Sequence, residues 1–388
     1  RLLTFSPPLD PATEKPLIDR LVVVLQRVVA GTDVTKNVNK NNATHAVLFE
    51  AINVIIHQGR STDLLSQAVA LLGRFISIRE ANIRYLGLET MARLSQHPDC
   101  ADDIKRHQST ILYSLKDADV SIRRRALDLV YTMCDFSNCR ETIKELLNYL
   151  ANADPALREE LVLKIAILAE RFADDYAWYV DVVLQLVKIA GDQVSDDVWY
   201  RVVQIVTNEE ALQRYATLTA FRALLADPRP PDNLVRISAY LLGEFGHLVA
   251  DEPRMGALDQ VAALQAHYAA SGLPTRAILL SAFVKLAHVF PEAEGEVARL
   301  LGLNTRAIDQ EVQQRAVEYQ ALASGRFGDV KAAVLEMMPA FPERESAVLK
   351  QIKKRLAAGD GAATRDVVAD RIAREDSGGA RSGNGDRA

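Results

Sequence analysis

Cysteine, aromatic side chains and long apolar runs are all scarce in this sequence. Its 388 residues include only Cys100, Cys134 and Cys139, and 6% of them are aromatic. An odd number of cysteines in so long a chain does not form a disulfide framework and is typical of a reducing compartment. Apolar runs, such as residues 21–25, end well short of the ~18 residues that a bilayer span requires. We therefore predict neither a disulfide-stapled secreted domain nor a membrane-spanning protein.

The sequence also lacks an excess of charge of either sign. Its 46 Lys and Arg residues oppose 51 Asp and Glu residues, a net charge of −5. Domains that bind nucleic acid are usually clearly basic, so no nucleic-acid partner is predicted. The 49% of apolar and 25% of charged residues are typical of folded, soluble proteins. Residues 1–5 show neither an initiator methionine nor the plan of a signal peptide, which predicts that the N-terminal part of the protein precedes this sequence.

Most segments between turn signals show the 3.6-residue apolar period of an amphipathic helix, and almost none alternates as a strand does. One helix is predicted from about Thr44 to Gln58, and its apolar face is formed by Val47, Leu48, Ala51, Val54 and Ile55. Another begins at Pro155, a residue suited to a first helical turn. Its apolar face is formed by Leu157, Leu161, Ile165 and Leu168. About eighteen such segments predict an all-α fold.

A repeat runs through the chain. Residues 119–129 have a near copy at residues 309–319, and Ile83, Leu157 and Val198 occupy the position of Ile122 in weaker copies. The steps between these positions are 39, 35 and 41 residues. That period fits antiparallel helix pairs of the HEAT-like and armadillo-like kind, which stack to cover each other's apolar faces. We predict one right-handed alpha-solenoid over residues 1–356, followed at 357–388 by a flexible tail or the start of a linker.

Residue patterns for catalysis are missing from the sequence. The histidines do not form the i, i+4 pair of a helical zinc protease, and Cys134 and Cys139 would need two further ligands to hold zinc. Small buried residues are the simpler interpretation of these cysteines. The glycines of residues 242–246 lack the flanking strand of a phosphate loop and indicate a close helix crossing instead. We predict no catalytic, cofactor-binding or metal-binding residues and no enzymatic activity.

Two groups of basic residues need an interpretation. Arg123, Arg124 and Arg125 fan around a helix about 100° apart, which favours surface ion pairs over a converging anion site. A second cluster lies at the end of the last predicted helix and consists of Lys350, Lys353, Lys354 and Arg355. It suits the negative end of a helix dipole. Contact with an acidic lipid surface or an acidic partner is the alternative.

Several runs of residues resemble one family. They are residues 40–43, 45–52, 82–86, 119–126 and 312–319. Together they resemble the trunk of the adaptins, the large subunits of heterotetrameric adaptor complexes that select cargo for coated vesicles. Within the family, residues 175–181, 198–206, 242–246 and 341–346 resemble the alpha-type subunits of the plasma-membrane clathrin adaptor. The gamma type of the Golgi and endosomal adaptor is similar around residues 312–319 but lacks those four runs.

The resemblance implies a non-catalytic scaffold, the C-terminal half of an adaptin trunk, that acts in endocytosis at plasma-membrane coated pits. Its implied partners are beta-adaptin and the medium (mu) and small (sigma) adaptor subunits, with clathrin reached indirectly. The family's phosphoinositide lysines and cargo site lie near the N-terminus of the trunk, so membrane association is expected mainly outside this segment. A gamma-type adaptin and an unrelated HEAT-like interaction scaffold are the alternatives.

The resemblance also implies a place for the partner. The C-terminal ends of the two large-subunit trunks pack against each other in the family, so residues 312–355 are expected to contact beta-adaptin. Large obligate interfaces of this kind bury apolar surface. The candidate contact residues are Val312, Arg315, Tyr319, Met337, Met338, Phe341 and Leu349.

Overall fold

A computed structural model describes residue 4 and residues 7–10, 12–31, 38–58, 62–324 and 327–342. These residues form eighteen α-helices and no strand, which confirms the all-α prediction. The helices are α1 Lys15–Ala30, α2 Val38–Gln58, α3 Thr62–Phe75, α4 Ala81–Leu94, α5 Ala101–Lys105, α6 Gln108–Ser114, α7 Val120–Met133, α8 Cys139–Ala151, α9 Pro155–Phe172, α10 Tyr176–Ala190, α11 Asp196–Asn208, α12 Glu210–Ala226, α13 Asp232–Phe245, α14 Ala257–Tyr268, α15 Leu273–Val289, α16 Glu294–Asn304, α17 Gln310–Ala323 and α18 Gly328–Leu335.

The described helices divide into two units. Helices α1–α7 belong to the N-terminal unit, which extends to Asn138, and helices α8–α18 belong to the unit that begins at Cys139. The predicted tail, residues 357–388, lies outside the described residues. A single array over residues 1–356 and its right-handed sense stay predictions.

In the N-terminal unit, helices pack against the neighbours that follow them closely in the chain. Helix α1 lies against α2, α3 against α4, and α4 against α7. The repeat positions Ile83 in α4 and Ile122 in α7 are both buried, as is Leu88. The predicted repeat therefore marks the core of this unit, because the same position of successive copies faces the packing partner.

The second unit follows the same plan. Helix α13 packs against α12, α11 and α15, and α15 packs against α17. The apolar side chains of α12–α17 form one continuous core that includes Phe221, Leu242 and Phe283. Val312 and Ala316 of α17 complete this core. Stacking in this unit thus buries the faces that isolated helix pairs would expose.

Aspartate side chains start several of the helices. Asp119 accepts a hydrogen bond from the Ser121 backbone N–H (2.8 Å), and Asp309 accepts one from the Val312 N–H (3.0 Å). Asp154 does the same for Ala156 (2.9 Å), just before the predicted start at Pro155. Each bond satisfies an amide that the first helical turn leaves without a partner. The start at Pro155 and the repeated Asp are therefore explained by the same local chemistry.

The predicted start of α2 was wrong. The helix begins at Val38, six residues before Thr44. Its first turns carry Asn and Lys rather than an apolar stripe, so the apolar period does not detect them. Val47, predicted on the buried face, is exposed, whereas Leu48, Ile52 and Ile55 are buried. Ala51 and Val54 are buried as well, so Val47 is the one residue of the predicted face that is exposed.

The close helix crossing inferred for residues 242–246 predicts that a residue larger than glycine at Gly243 lowers stability. A Cβ atom at this position would lie 3.0 Å from Cα and 3.2 Å from Cβ of Ala282 in α15. Because α15 is held on its other side by α17, we expect Gly243→Ala to lower the free energy of unfolding by about 1 kcal/mol.

Gly295 in α16 is the matched control for this substitution. A Cβ atom there meets nothing within 4 Å. Gly295→Ala should raise stability by about 0.5 kcal/mol, since alanine loses less backbone entropy in a helix. Urea denaturation followed by circular dichroism measures both changes, and effects of the same sign would refute the close-crossing interpretation.

Among the residues that the structure describes, no helix is both long enough and apolar enough to cross a bilayer.

Candidate interaction surface

The repeat-equivalent arginines close turns and do not form an anion site. The Arg84 guanidinium donates to the carbonyls of Ile78 (3.0 Å) and Arg79 (2.6 Å) and pairs with Asp117 at 2.9 Å. Arg123 donates in the same way to the carbonyls of Asp117 and Ala118. These guanidinium groups stabilise the turns because the carbonyl oxygens there have no helical partner.

Arg125 makes ion pairs, as predicted for this arginine run. Its guanidinium lies 3.6 Å from the Asp128 carboxylate and 3.4 Å from that of Glu89. It also donates to the Tyr85 hydroxyl (2.8 Å) and lies over the Tyr85 ring at 5.1 Å. These contacts join α4 to α7, so the charge of Arg125 stabilises the helix packing.

The three thiols are buried, as the sequence interpretation expects. Burial raises the pKa of the Cys100 thiol to about 11, and the carboxylates of Asp103 and Asp99 act in the same direction. Burial also raises the pKa of the Cys139 thiol. The Cys100 and Cys139 thiols therefore stay protonated at neutral pH, whereas the thiolate is the form that ligates metals and attacks substrates. Within the described ranges, no three His, Cys, Asp or Glu side chains cluster so as to hold a metal ion.

Three of the predicted contact residues pack against the chain's own helix α15. Val312 is buried in the core, where little of its side chain remains for a partner. The Arg315 guanidinium donates to the Ser281 hydroxyl (2.9 Å), and the Tyr319 hydroxyl lies 2.8 Å from the same oxygen. Ser281 therefore ties α17 to α15 through both residues.

The predicted contact residues beyond α18 lie elsewhere. Met337 and Met338 are exposed, whereas Phe341 is half-buried and hydrogen-bonds to Asn208 of α11. Leu349 and the basic cluster of Lys350, Lys353, Lys354 and Arg355 lie outside the described residues. Val312, Arg315 and Tyr319 thus lie together on α17, against α15. The two methionines and Phe341 lie on the separate segment that follows α18.

The sequence did not predict six exposed apolar residues on α16–α18 and the turns between them, which together are called here the terminal apolar face. It consists of Leu303, Ile308, Val317, Phe327, Val330 and Val334. Val317 is the informative member because it occupies the repeat position of Leu127, which is fully buried in α7. The same repeat position is covered in one unit and 48% exposed in the last long helix. An apolar residue at a core position of the repeat, in the last long helix of the described residues, could therefore have predicted this exposed surface.

The fold and this surface define the class of the protein. Helix pairs that stack so that each covers the apolar face of the next are the architecture of a helical-repeat protein. A sequence model described as "Adaptin N terminal region" matches residues 1–326, and the chain belongs to the adaptin family.

Curated relatives place the chain nearer one branch of that family. It is 51% identical over 356 residues to "AP-2 complex subunit alpha-1" of Arabidopsis thaliana, covering 90% of this chain and 34% of the relative. Identity is 49% with "AP-2 complex subunit alpha-2" of Dictyostelium discoideum, over 82% of this chain and 32% of that protein. It falls to 31% with "AP-1 complex subunit gamma-1" of Arabidopsis thaliana, over 80% and 36%. The alpha-type resemblance is confirmed, and the chain spans about a third of these relatives' length.

One solved structure shares the fold. It is titled "Homology model of the full-length AP-3 complex in an intermediate open conformation", and it matches with a TM-score of 0.56 at 16% identity. The match covers 90% of this chain and 64% of that one. At this identity the likeness supports the helical solenoid architecture alone.

Proposed function

We propose that this chain is a non-catalytic scaffold segment of an alpha-type large subunit in a heterotetrameric clathrin adaptor. It supports cargo selection and coated-vesicle formation in endocytosis, on the cytoplasmic side of plasma-membrane coated pits. The identity of 51% with AP-2 alpha subunits, against 31% with an AP-1 gamma subunit, carries this proposal. Its partners are beta-adaptin and the mu and sigma subunits, with clathrin bound indirectly.

The terminal apolar face is the proposed contact with beta-adaptin. Its six apolar residues lie on α16–α18 and the turns between them, and Val317, Phe327, Val330 and Val334 fall within residues 312–355, the part of the chain that the adaptin resemblance assigns to this partner. Obligate interfaces between subunits bury apolar surface of this kind. The proposal therefore adds these exposed apolar residues to the predicted region, and the candidate contact residues named from the resemblance stay predictions.

Charged substitutions test this contact. Val317→Asp together with Val330→Asp should weaken binding to a co-expressed beta-adaptin trunk about a hundredfold, because each carboxylate must be desolvated at a cost of roughly 1–3 kcal/mol. Leu225→Asp, on an equally exposed apolar residue of α12, is the matched control and should leave binding unchanged. Equal recovery of beta-adaptin by both variants, with unchanged thermal unfolding, would contradict the proposed contact.

Membrane contact through the basic cluster is a separate proposal that the sequence supports. Clustered Lys and Arg each contribute about 1 kcal/mol beside anionic lipid. Combined Lys353→Glu, Lys354→Glu and Arg355→Glu substitutions should reduce sedimentation with vesicles containing phosphatidylinositol bisphosphate to background. Charge reversal of the exposed residues Lys144 and Lys188 is the control. Undiminished sedimentation of the triple variant would assign any lipid binding to another part of the chain.

A further inference from the structure

The segment after α18, residues 336–342, crosses three helices of the second unit and is called here the strap. It forms neither helix nor strand. Side chains from α15, α13 and α11 hold it at four points along its length. The contacts are Lys285 Nζ to the Glu336 carbonyl (3.2 Å), the Met338 N–H to Glu244 Oε2 (3.1 Å), the Phe341 N–H to Asn208 Oδ1 (2.7 Å), Asn208 Nδ2 to the Phe341 carbonyl (2.9 Å), and Gln204 Nε2 to the Pro342 carbonyl (3.3 Å).

Every one of these five hydrogen bonds goes to the main chain of the strap. Asn208 both accepts from and donates to the same residue, Phe341, as a neighbouring strand would. Main-chain hydrogen bonds provide affinity without reading side chains. The helices therefore recognise an extended backbone rather than the particular side chains of Met337 or Met338, which remain exposed.

Two prolines set the backbone that is recognised. Pro339 and Pro342 are three residues apart, and the residues before them, Met338 and Phe341, are restricted to extended conformations. Those two residues supply the bound N–H groups. A polyproline II helix has three residues per turn, so positions three apart face the same side. The side chains of the helices thus bind N–H groups that are three residues apart, which is the spacing at which an extended peptide with prolines presents them on one side.

The surface under the strap contains a buried carboxylate that accepts a hydrogen bond from the strap backbone. The Glu244 side chain is only 5% exposed and pairs with Lys285 through Oε1. Its second oxygen, Oε2, accepts from the Met338 N–H. A buried carboxylate is costly unless its lone pairs are satisfied. Removing the strap would leave Oε2 without this donor, so a main-chain N–H from another peptide is a suitable replacement.

We propose that the face formed by Gln204, Asn208, Glu244 and Lys285 is a binding groove for extended peptides with prolines at positions i and i+3. The strap is its occupant within the chain, and a partner segment with the same proline spacing competes for the groove. This proposal rests on contacts within the second unit and is independent of the adaptor function proposed above.

A labelled synthetic peptide with the sequence of residues 335–343 tests the groove by fluorescence anisotropy. The chain carrying Pro339→Gly and Pro342→Gly should bind it about tenfold more tightly than the unchanged chain, because a less preorganised strap competes less well. Adding Asn208→Ala should weaken binding about tenfold through the loss of two hydrogen bonds. Asn148→Ala, at an exposed helical asparagine of α8, should change nothing.

A second measurement uses the unchanged chain and needs no variant. Excess peptide should speed hydrogen exchange at the Met338 and Phe341 amides, because a displaced strap exposes them to water. Unchanged exchange at saturating peptide would overturn the proposal, as would equal binding of a peptide with both prolines replaced by glycine. Sedimentation of the unchanged chain tests whether the bound strap belongs to a second copy of the chain. A dimer that Asn208→Ala dissociates would indicate the strap of a second copy and would overturn the proposal that the strap binds within its own chain.

Discussion

Lys285→Met is expected to lower the free energy of unfolding of the second unit by about 3 kcal/mol. The Lys285 ammonium pairs with the Glu244 carboxylate, and the two side chains are 16% and 5% exposed. Removing one partner of a buried pair leaves an uncompensated charge, which costs about 3–5 kcal/mol. The estimate is at the lower end because Met338 still donates to Glu244. Urea denaturation followed by circular dichroism measures the change.

A double variant without either charge distinguishes the cost of leaving Glu244 unpaired from the cost of losing the packing of Lys285. Lys285→Met combined with Glu244→Gln should recover most of the lost stability, since replacing both members of a buried pair is often nearly neutral. Lys188→Met, at an exposed lysine in the last turn of α10, should stay within about 0.5 kcal/mol of the parent. A double variant as unstable as Lys285→Met would show that the lysine acts through its packing.

Phe283→Ala is expected to cost about 3–5 kcal/mol, the usual range for a buried phenylalanine. Phe283 is fully buried in α15, and its ring centroid lies 6.4 Å from that of Tyr268 in α14. It belongs to the core shared by α12–α17, so the cavity cannot close without moving several packed helices.

Phe327→Ala is the matched control for this truncation. Phe327 lies at the start of α18 and is 48% exposed, so its loss should change stability by no more than about 0.5 kcal/mol. Thermal unfolding of both variants measures the difference. A Phe283→Ala variant that unfolds at the temperature of the parent would refute the continuous core described for the second unit.

Local patterns in the sequence predict much of the fold. The apolar period and the repeat of residues 119–129 at 309–319 identify Ile122 and Val312 as equivalent core positions, and both are buried. Asp119 and Asp309 both begin their helices by accepting a hydrogen bond from a first-turn amide, that of Ser121 or Val312. These features depend on residues within one or two helical turns, so they can be derived without knowing the neighbours in space.

Equivalent sequence positions did not predict equivalent exposure. Leu127 and Val317 occupy the same place in the repeat, yet Leu127 is buried and Val317 is exposed. The difference depends on whether another element covers the helix. The contacts of Arg315 and Tyr319 with α15 likewise depend on which helix lies beside them, and the role of Val312, Arg315 and Tyr319 in partner contact stays a prediction.

The order of helices, their repeat and their capping residues were already determined by the sequence, because hydrophobic period and end chemistry act locally. The few cysteines are all buried, and the scarcity of long apolar runs agrees with amphipathic helices that are covered by stacking. Only the tertiary structure decided which apolar face stays open and where the strap binds. Met338 meets Glu244 across 94 residues and Phe341 meets Asn208 across 133, and no local pattern encodes contacts over such separations.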